Sequence, residues 1–166
     1  MLIFMPAAER FVLYMQQEKS KAVISWCFVV ICMGIIFWLS SRTADESARQ
    51  SSSVLQWLIE HLGNIGISEF IVRKTAHLLE FTGLCFLFNV ALYYTRGKVS
   101  PILSTIFTSL YAVTDEVHQL FVVGRSCELR DWAIDTCGAI LGAVGTMLIF
   151  LIISKISAKS IDTESI

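Results

Sequence analysis

The sequence predicts an all-α, polytopic membrane helix bundle: four transmembrane helices plus a short interfacial or re-entrant helix. Two observations carry that expectation. The chain is 55% hydrophobic and 16% charged, with mean hydropathy +0.65, which is too oily for an ordinary soluble domain of 166 residues. Residues 22–39, "AVISWCFVVICMGIIFWL", hold no charge over the length a helix needs to cross a bilayer.

Residues 1–20 read as a cytoplasmic or interfacial segment with a short surface helix that turns Phe11 and Met15 toward the bilayer. The first span, Ala22 to Leu39, is long for a signal peptide. It runs into "SSRTADES" without an A-x-A-like cleavage site, so an uncleaved helix is expected. In "SSSVLQWLIEHLGNIGISEF", Ser53 and Gln56 form a candidate capping box, and Val54, Leu55, Leu58, Leu62 and Ile65 share one helical face. This is the interfacial or re-entrant helix.

The second span, Ile71 to Tyr94, is apolar apart from Arg73, Lys74, His77, Glu80 and Asn89. A third begins at Pro101, a good first-turn residue, and crosses only if the helix continues through Asp115 to Phe121. The fourth, Trp132 to Ser154, carries Gly138, Gly142 and Gly145, small residues that let neighbouring helices approach. The membrane domain thus covers 21–154, and 155–166 reads as a polar, mobile tail.

Lys and Arg set the orientation. Arg10, Lys19, Lys21, Arg96, Lys98, Lys155 and Lys159 lie on one side; Arg42, Arg49, Arg73, Lys74, Arg125 and Arg130 lie on the other. If the four of the second group that sit in charged motifs serve a site, the contrast is seven against two, and both termini face the cytoplasm. A net charge of -1 without a basic stripe excludes a nucleic-acid partner. The five cysteines form no C-x-x-C pair and fall mostly in apolar runs, so they are assigned no chemistry; Cys127 alone lies in a polar loop.

With this topology, Lys74 and His77, Asp115 to Gln119, and Asp131 with Asp135 share one leaflet and can converge on a polar pocket that opens outward. His77 centres the polar face of its span, with Arg73 at i−4 and Glu80 at i+3. One alternative is that these charges merely pair with each other and lock the helices. Each charge at membrane depth costs about 2.5–3.5 kcal/mol even on a mild insertion scale, and Ser, Thr and Gly could do the adhesive work instead.

Three chemistries lack their motifs. A metal site from His77, His118, Asp115, Glu116 and Asp135 has suitable ligand types but no H-E-x-x-H, and none is expected; neither a G-x-S-x-G elbow nor a Walker loop is present. General acid/base work by His77 or Glu116 stays open, with His77, Asp115, Glu116 and Gln119 as the group that handles protons or orients the ligand, and no cofactor is expected. Lys74 and Arg125, with Arg42 or Arg73, can clamp an anion, with Asp115, Glu116 and Asp131 orienting the guanidiniums, Asp131 bracing Arg125, and Gly124 permitting the turn that returns Arg125 to the pocket mouth. The bland reading of Arg125 is a head-group anchor.

"RKTAHLLEFTGL" at 73–84, "TDEVHQLFVVGRSCELRDWAIDTCGAILGAVG" at 114–145 and the serine-rich "SSRTADESARQSS" at 40–52 together resemble the VanZ-like family of small bacterial membrane proteins. The resemblance spans about residues 35–150. It implies four to five helices, a place in the bacterial cytoplasmic membrane, and a link to the cell envelope and glycopeptide antibiotic resistance, since the family is named for a teicoplanin-resistance protein. It names a family and not a reaction. Some members carry Asp before the lysine and Tyr at the position of Phe81, so a tyrosine hydroxyl's role would not carry over to this chain.

The expected function is an outward-facing charged pocket that binds an anionic lipid or lipid-linked cell-wall precursor, with modification of that ligand and homo-oligomerisation left open. The rival is a non-enzymatic envelope interaction or sensor protein whose charge cluster is structural.

Overall fold

The computed structural model describes residues 7–63 and 66–164, with side chains at 16–63 and 66–156. Among the described residues it is all α, with five helices and no strand: α1 (Ala7–Ser40), α2 (Ala44–Leu62), α3 (Glu69–Arg96), α4 (Pro101–Gln119) and α5 (Leu129–Glu164). Three stretches are long and apolar enough to cross a membrane: Gln16–Ser40, Glu69–Arg96 and Leu129–Ile156. Helix α4 is not among them, because Asp115, Glu116, His118 and Gln119 occupy its last turns. Among the described residues, three of the four expected crossings are thus supported by length and composition, while α4 continues through its charged turn as far as Gln119.

Helix α3 stands at the centre and packs against each of the other four. Phe81, Leu84, Phe88 and Ala91 recur on one of its faces and bury against Val29 and Ile36 of α1 and Ala112 of α4. On another face, Cys85 meets Ala139 and Ala143 of α5. Lipid tails are as apolar as leucine, so close contact rather than hydrophobic gain must hold such helices together. The α3–α5 seam supplies that contact. A methyl added at Gly138 would run into the Leu78 carbonyl, one at Gly142 into the Thr82 carbonyl, and the Thr82 hydroxyl donates to the Gly138 carbonyl at 3.0 Å. Outward, Val23, Val30, Ile31 and Ile35 of α1 and Leu148, Ile152 and Ile153 of α5 are all more than half exposed, a surface that suits hydrocarbon.

The amphipathic helix exists but begins earlier than the sequence reading placed it. Thr43 is the N-cap, its hydroxyl accepting from the Glu46 N–H at 3.3 Å while the Glu46 carboxylate accepts from the Thr43 N–H at 2.9 Å. The Glu46 carboxylate also accepts from the Thr43 hydroxyl at 3.0 Å, and its two bonds from Thr43, the backbone one first, hold it below the usual carboxylate range. The candidate box at Ser53 and Gln56 lies inside the helix, where the Ser53 hydroxyl donates back to the Arg49 carbonyl. Val54 and Leu58 turn to the protein, Leu62 is exposed, and Ile65 lies outside the described residues. The Ser52 hydroxyl donates to the Glu69 carboxylate and ties α2 to the first turn of α3.

Two terminal expectations change. A separate surface helix before residue 20 is replaced by one continuous α1 from Ala7, while the facing of Phe11 and Met15 lies outside the described residues. The segment expected as a tail is helical through Glu164.

The seam makes a stability prediction. Gly138→Ala lowers thermal stability in detergent by about 1–3 kcal/mol, the usual cost of overpacking. Gly145→Ala, where an added methyl meets nothing within 4 Å, leaves the melting temperature unchanged or slightly raised. Equal responses at the two positions would contradict the close approach of α3 and α5.

Candidate functional site

The polar residues of the helices gather in one layer. Lys74 of α3 pairs with Asp131 of α5 at 2.5 Å, and one turn deeper His77 Nδ1 lies 3.7 Å from Asp135 Oδ1. The depth follows from sequence: position 77 is three past 74, 135 is four past 131, and each pair therefore repeats one helical turn on. On the α1–α4 side, Asp115 Oδ2 accepts from the Ser40 hydroxyl at 2.8 Å and from the Gln119 amide at 3.0 Å. Glu116 Oε2 accepts the Glu128 N–H at 2.8 Å and so braces the approach to α5.

Satisfaction is incomplete. Asp135 is fully buried, yet neither of its carboxylate oxygens has a hydrogen-bond partner among the described residues, and the same holds for His77 Nδ1, Asp115 Oδ1 and Glu116 Oε1. At 3.7 Å the His77–Asp135 pair is electrostatic and too long to be a hydrogen bond. Unpaired polar atoms in a buried layer are costly and native proteins keep few of them, which marks this layer as more than mortar.

A cavity of about 330 Å³ opens beside it, between the end of α1, the inner face of α2 and the first half of α3. Helix α2 lines it with Ser47, Ser51, Val54 and Leu58, a helical i, i+4, i+7, i+11 row. Much of the wall is apolar, including Leu39, Ile67, Ile71 and Leu79, while Ser40, Arg73, His77, Glu80 and Arg125 make a polar side. Arg125 arrives from the loop between α4 and α5. Gly124 turns that loop at φ 76°, where an added methyl would also press on Ala44 at 3.0 Å. The Ala44 N–H donates to the Val123 carbonyl, and Arg125 Nε donates to the Arg42 carbonyl at 3.2 Å.

Arg73 and Arg125 are half-buried in the same wall, and among the described residues no carboxylate lies within ion-pair distance of either. Burial, and next the neighbouring Arg73 guanidinium, hold Arg125 below its ordinary value.

The sequence-derived site therefore divides. His77, Arg73 and Arg125 line the cavity. Lys74 and Asp131 satisfy one another, so Asp131 braces the lysine and not Arg125 as expected. Asp115, Glu116 and Gln119 stand behind the cavity wall as a bracing layer. His118 is away from it, stacked on Phe37 with ring centres 4.2 Å apart and 3.0 Å from the Ser41 hydroxyl. Among the described residues, no group of three or more His, Cys, Asp and Glu side chains is placed to share a metal ion. Sequence reasoning missed Ser40, the row Ser47 and Ser51, and the site role of Glu80. Serine directly after an apolar run was the available signal for the first, and serines spaced by four for the others.

A family model described as VanZ/LLP1 matches residues 2–152. No curated protein and no solved structure matches the chain.

Two substitutions test the bracing layer. Ser40→Ala removes a donor from the buried Asp115 carboxylate and costs about 1–3 kcal/mol in detergent unfolding. Asp135→Asn keeps the shape and removes a charge whose oxygens have no donor, so stability is unchanged or higher. A large loss from Asp135→Asn would show a structural anchor there.

Proposed function

The chain belongs to the VanZ/LLP1 family, and on that premise we propose that it binds an anionic amphiphile, of the kind represented by lipid-linked envelope precursors, in the cavity under α2. One observation carries the reading: Arg73 and Arg125 share a half-buried wall with no carboxylate at ion-pair distance among the described residues. Two guanidiniums in one wall, with Glu80 lining the same cavity but outside ion-pair distance, leave forked donors for a phosphate or carboxylate. The rest of the wall suits hydrocarbon, with Val54, Leu58, Ile67, Ile71 and Leu79 facing the same space. Head and tail sites adjoin.

His77 would stand beside the bound head, backed by Asp135, and is the group positioned to hold or pass a proton. Lys74, Asp131, Asp115, Glu116 and Gln119 would keep the helices that carry the wall in register. In this reading the chain sits in the bacterial cytoplasmic membrane with α4 as a fourth, polar-ended crossing packed against α3 and α5. Both termini lie in the cytoplasm, and the cavity opens to the outer leaflet, because the lysines and arginines outside the charged motifs favour the terminal side. A second reading, a non-enzymatic interaction protein with a structural charge cluster, is favoured by the mutual pairing of Lys74 with Asp131 and of Asp115 with Ser40 and Gln119. It leaves Arg73 and Arg125 without a purpose.

Native mass spectrometry with added lysophosphatidic acid and lysophosphatidylcholine separates the two. The wild type retains the anionic lipid in preference, and Arg73→Ala and Arg125→Ala each weaken it by about tenfold or more, as losing one charge-assisted bond of about 1.5–3 kcal/mol requires. Equal retention of both lipids by all three proteins would remove the clamp.

A further inference from the structure

Beside the cavity lies a second, more open groove of about 400 Å³, walled by Trp38, Arg42, Glu46, Arg49, Gln50 and Ser53 at the corner where α1 hands over to α2. Gln50 belongs to the walls of both the cavity and the groove. The same corner also joins them through the main chain, because Arg125, inside, donates to the carbonyl of Arg42, whose own side chain turns outward and lies 4.3 Å above the Trp38 ring. Two pairs of arginines thus flank one glutamine: Arg73 and Arg125 within, Arg42 and Arg49 without.

The outer pair repeats the inner pair's condition. Neither Arg42 nor Arg49 has a carboxylate at ion-pair distance among the described residues, and Arg42 Nε is buried without a hydrogen-bond partner. Glu46, the acid of the groove, caps α2 through the N–H and hydroxyl of Thr43 and offsets the two arginines only from beyond ion-pair distance. Arg42 Cζ lies 4.3 Å from the centre of the Trp38 ring, a cation–π contact that holds the guanidinium at the groove wall.

We propose that the groove is a second anion subsite, so that the ligand is an amphiphile whose polar head carries two anionic groups, the first held by Arg73 and Arg125 and the second passing over Gln50 to Arg42 and Arg49. This deepens the cavity reading and rests on it. Volume agrees with a slender ligand. Since a cavity of roughly 150 Å³ accepts benzene, the 330 Å³ inner space has room for a hydrocarbon segment and a first anionic group, and Gln50 at its edge continues into the groove. The glutamine is uncharged and offers an amide to the atoms that link the two anionic groups.

Purified protein in neutral detergent is titrated with geranyl phosphate, geranyl diphosphate, geraniol and inorganic pyrophosphate, alongside the variants Arg49→Gln and Arg42→Gln. Arg49 is exposed and makes no ion pair among the described residues, so its variant is the one expected to fold normally. The proposal expects the diphosphate to bind at least tenfold tighter than the monophosphate. It expects Arg49→Gln to abolish that preference while binding of the monophosphate stays within about twofold, and inorganic pyrophosphate to bind weakly because it lacks the tail. Arg42→Gln gives the same loss if it folds, and Arg49→Gln decides alone if it does not. Wild-type protein that binds both phosphates equally, or a preference unchanged in Arg49→Gln, overturns the second subsite and leaves the cavity reading intact. Binding of geraniol as tight as either phosphate overturns both. Pyrophosphate as tight as the geranyl diphosphate overturns the amphiphile and points to a free anion.

Discussion

An ionisable side chain at membrane depth must meet another polar group or water, and nearly everything in this fold follows from how α3 obeys that constraint. Its first half carries Arg73, Lys74, His77 and Glu80, and its second half is almost wholly apolar. A helix of this kind cannot stand at the edge of a bundle with its polar half toward lipid. Placed at the centre, it gives Lys74 to Asp131, sets His77 against Asp135, and turns Arg73 and Glu80 to the cavity under α2. The apolar half then forms the core with α1 and α4, while the glycines of α5 allow the approach that brings Asp131 and Asp135 within reach.

The charged layer has two kinds of member. Pairs that satisfy each other, such as Lys74 with Asp131 or Ser40 with Asp115, fix the helices in register, which keeps the cavity wall in place. Groups that lack a partner face the cavity or stand just behind it. Pairing of a buried ion offsets a large desolvation cost and gains little in net stability, so the paired set explains geometry better than it explains stability. The arginines without an ion pair explain neither, and in the proposed reading their role is to hold the ligand.

Much of this was legible in the chain. The uncharged run 22–39, the polar first half of the second span and the glycine strip after Asp135 correctly gave the helices and the face on which their charges meet. Gly124 correctly announced the turn that delivers Arg125. What escaped was partner choice. Asp131 was expected to brace Arg125, a loop residue that helical spacing does not place, and it pairs with Lys74 instead. The start of α2 was misplaced because a serine-rich stretch reads as loop by propensity, yet Ser47 and Ser51 are helical and face a cavity that no local pattern reveals. Helix α4 was expected as a crossing that continues through its charged turn; the helix does continue to Gln119, but its composition does not place it with the three apolar stretches.

The central claim is that Arg73 and Arg125 are held together unpaired, and a double-mutant cycle on the ligand-free protein in detergent tests it most directly. Arg73→Met, Arg125→Met and the double variant are unfolded thermally, so that losses peculiar to each side chain cancel and only their mutual interaction remains. The account predicts a repulsive coupling of about 0.5–3 kcal/mol, diminished by added salt. A coupling of zero, or an attractive one, would mean that each arginine already has its own counter-charge and that the cavity does not await an anion.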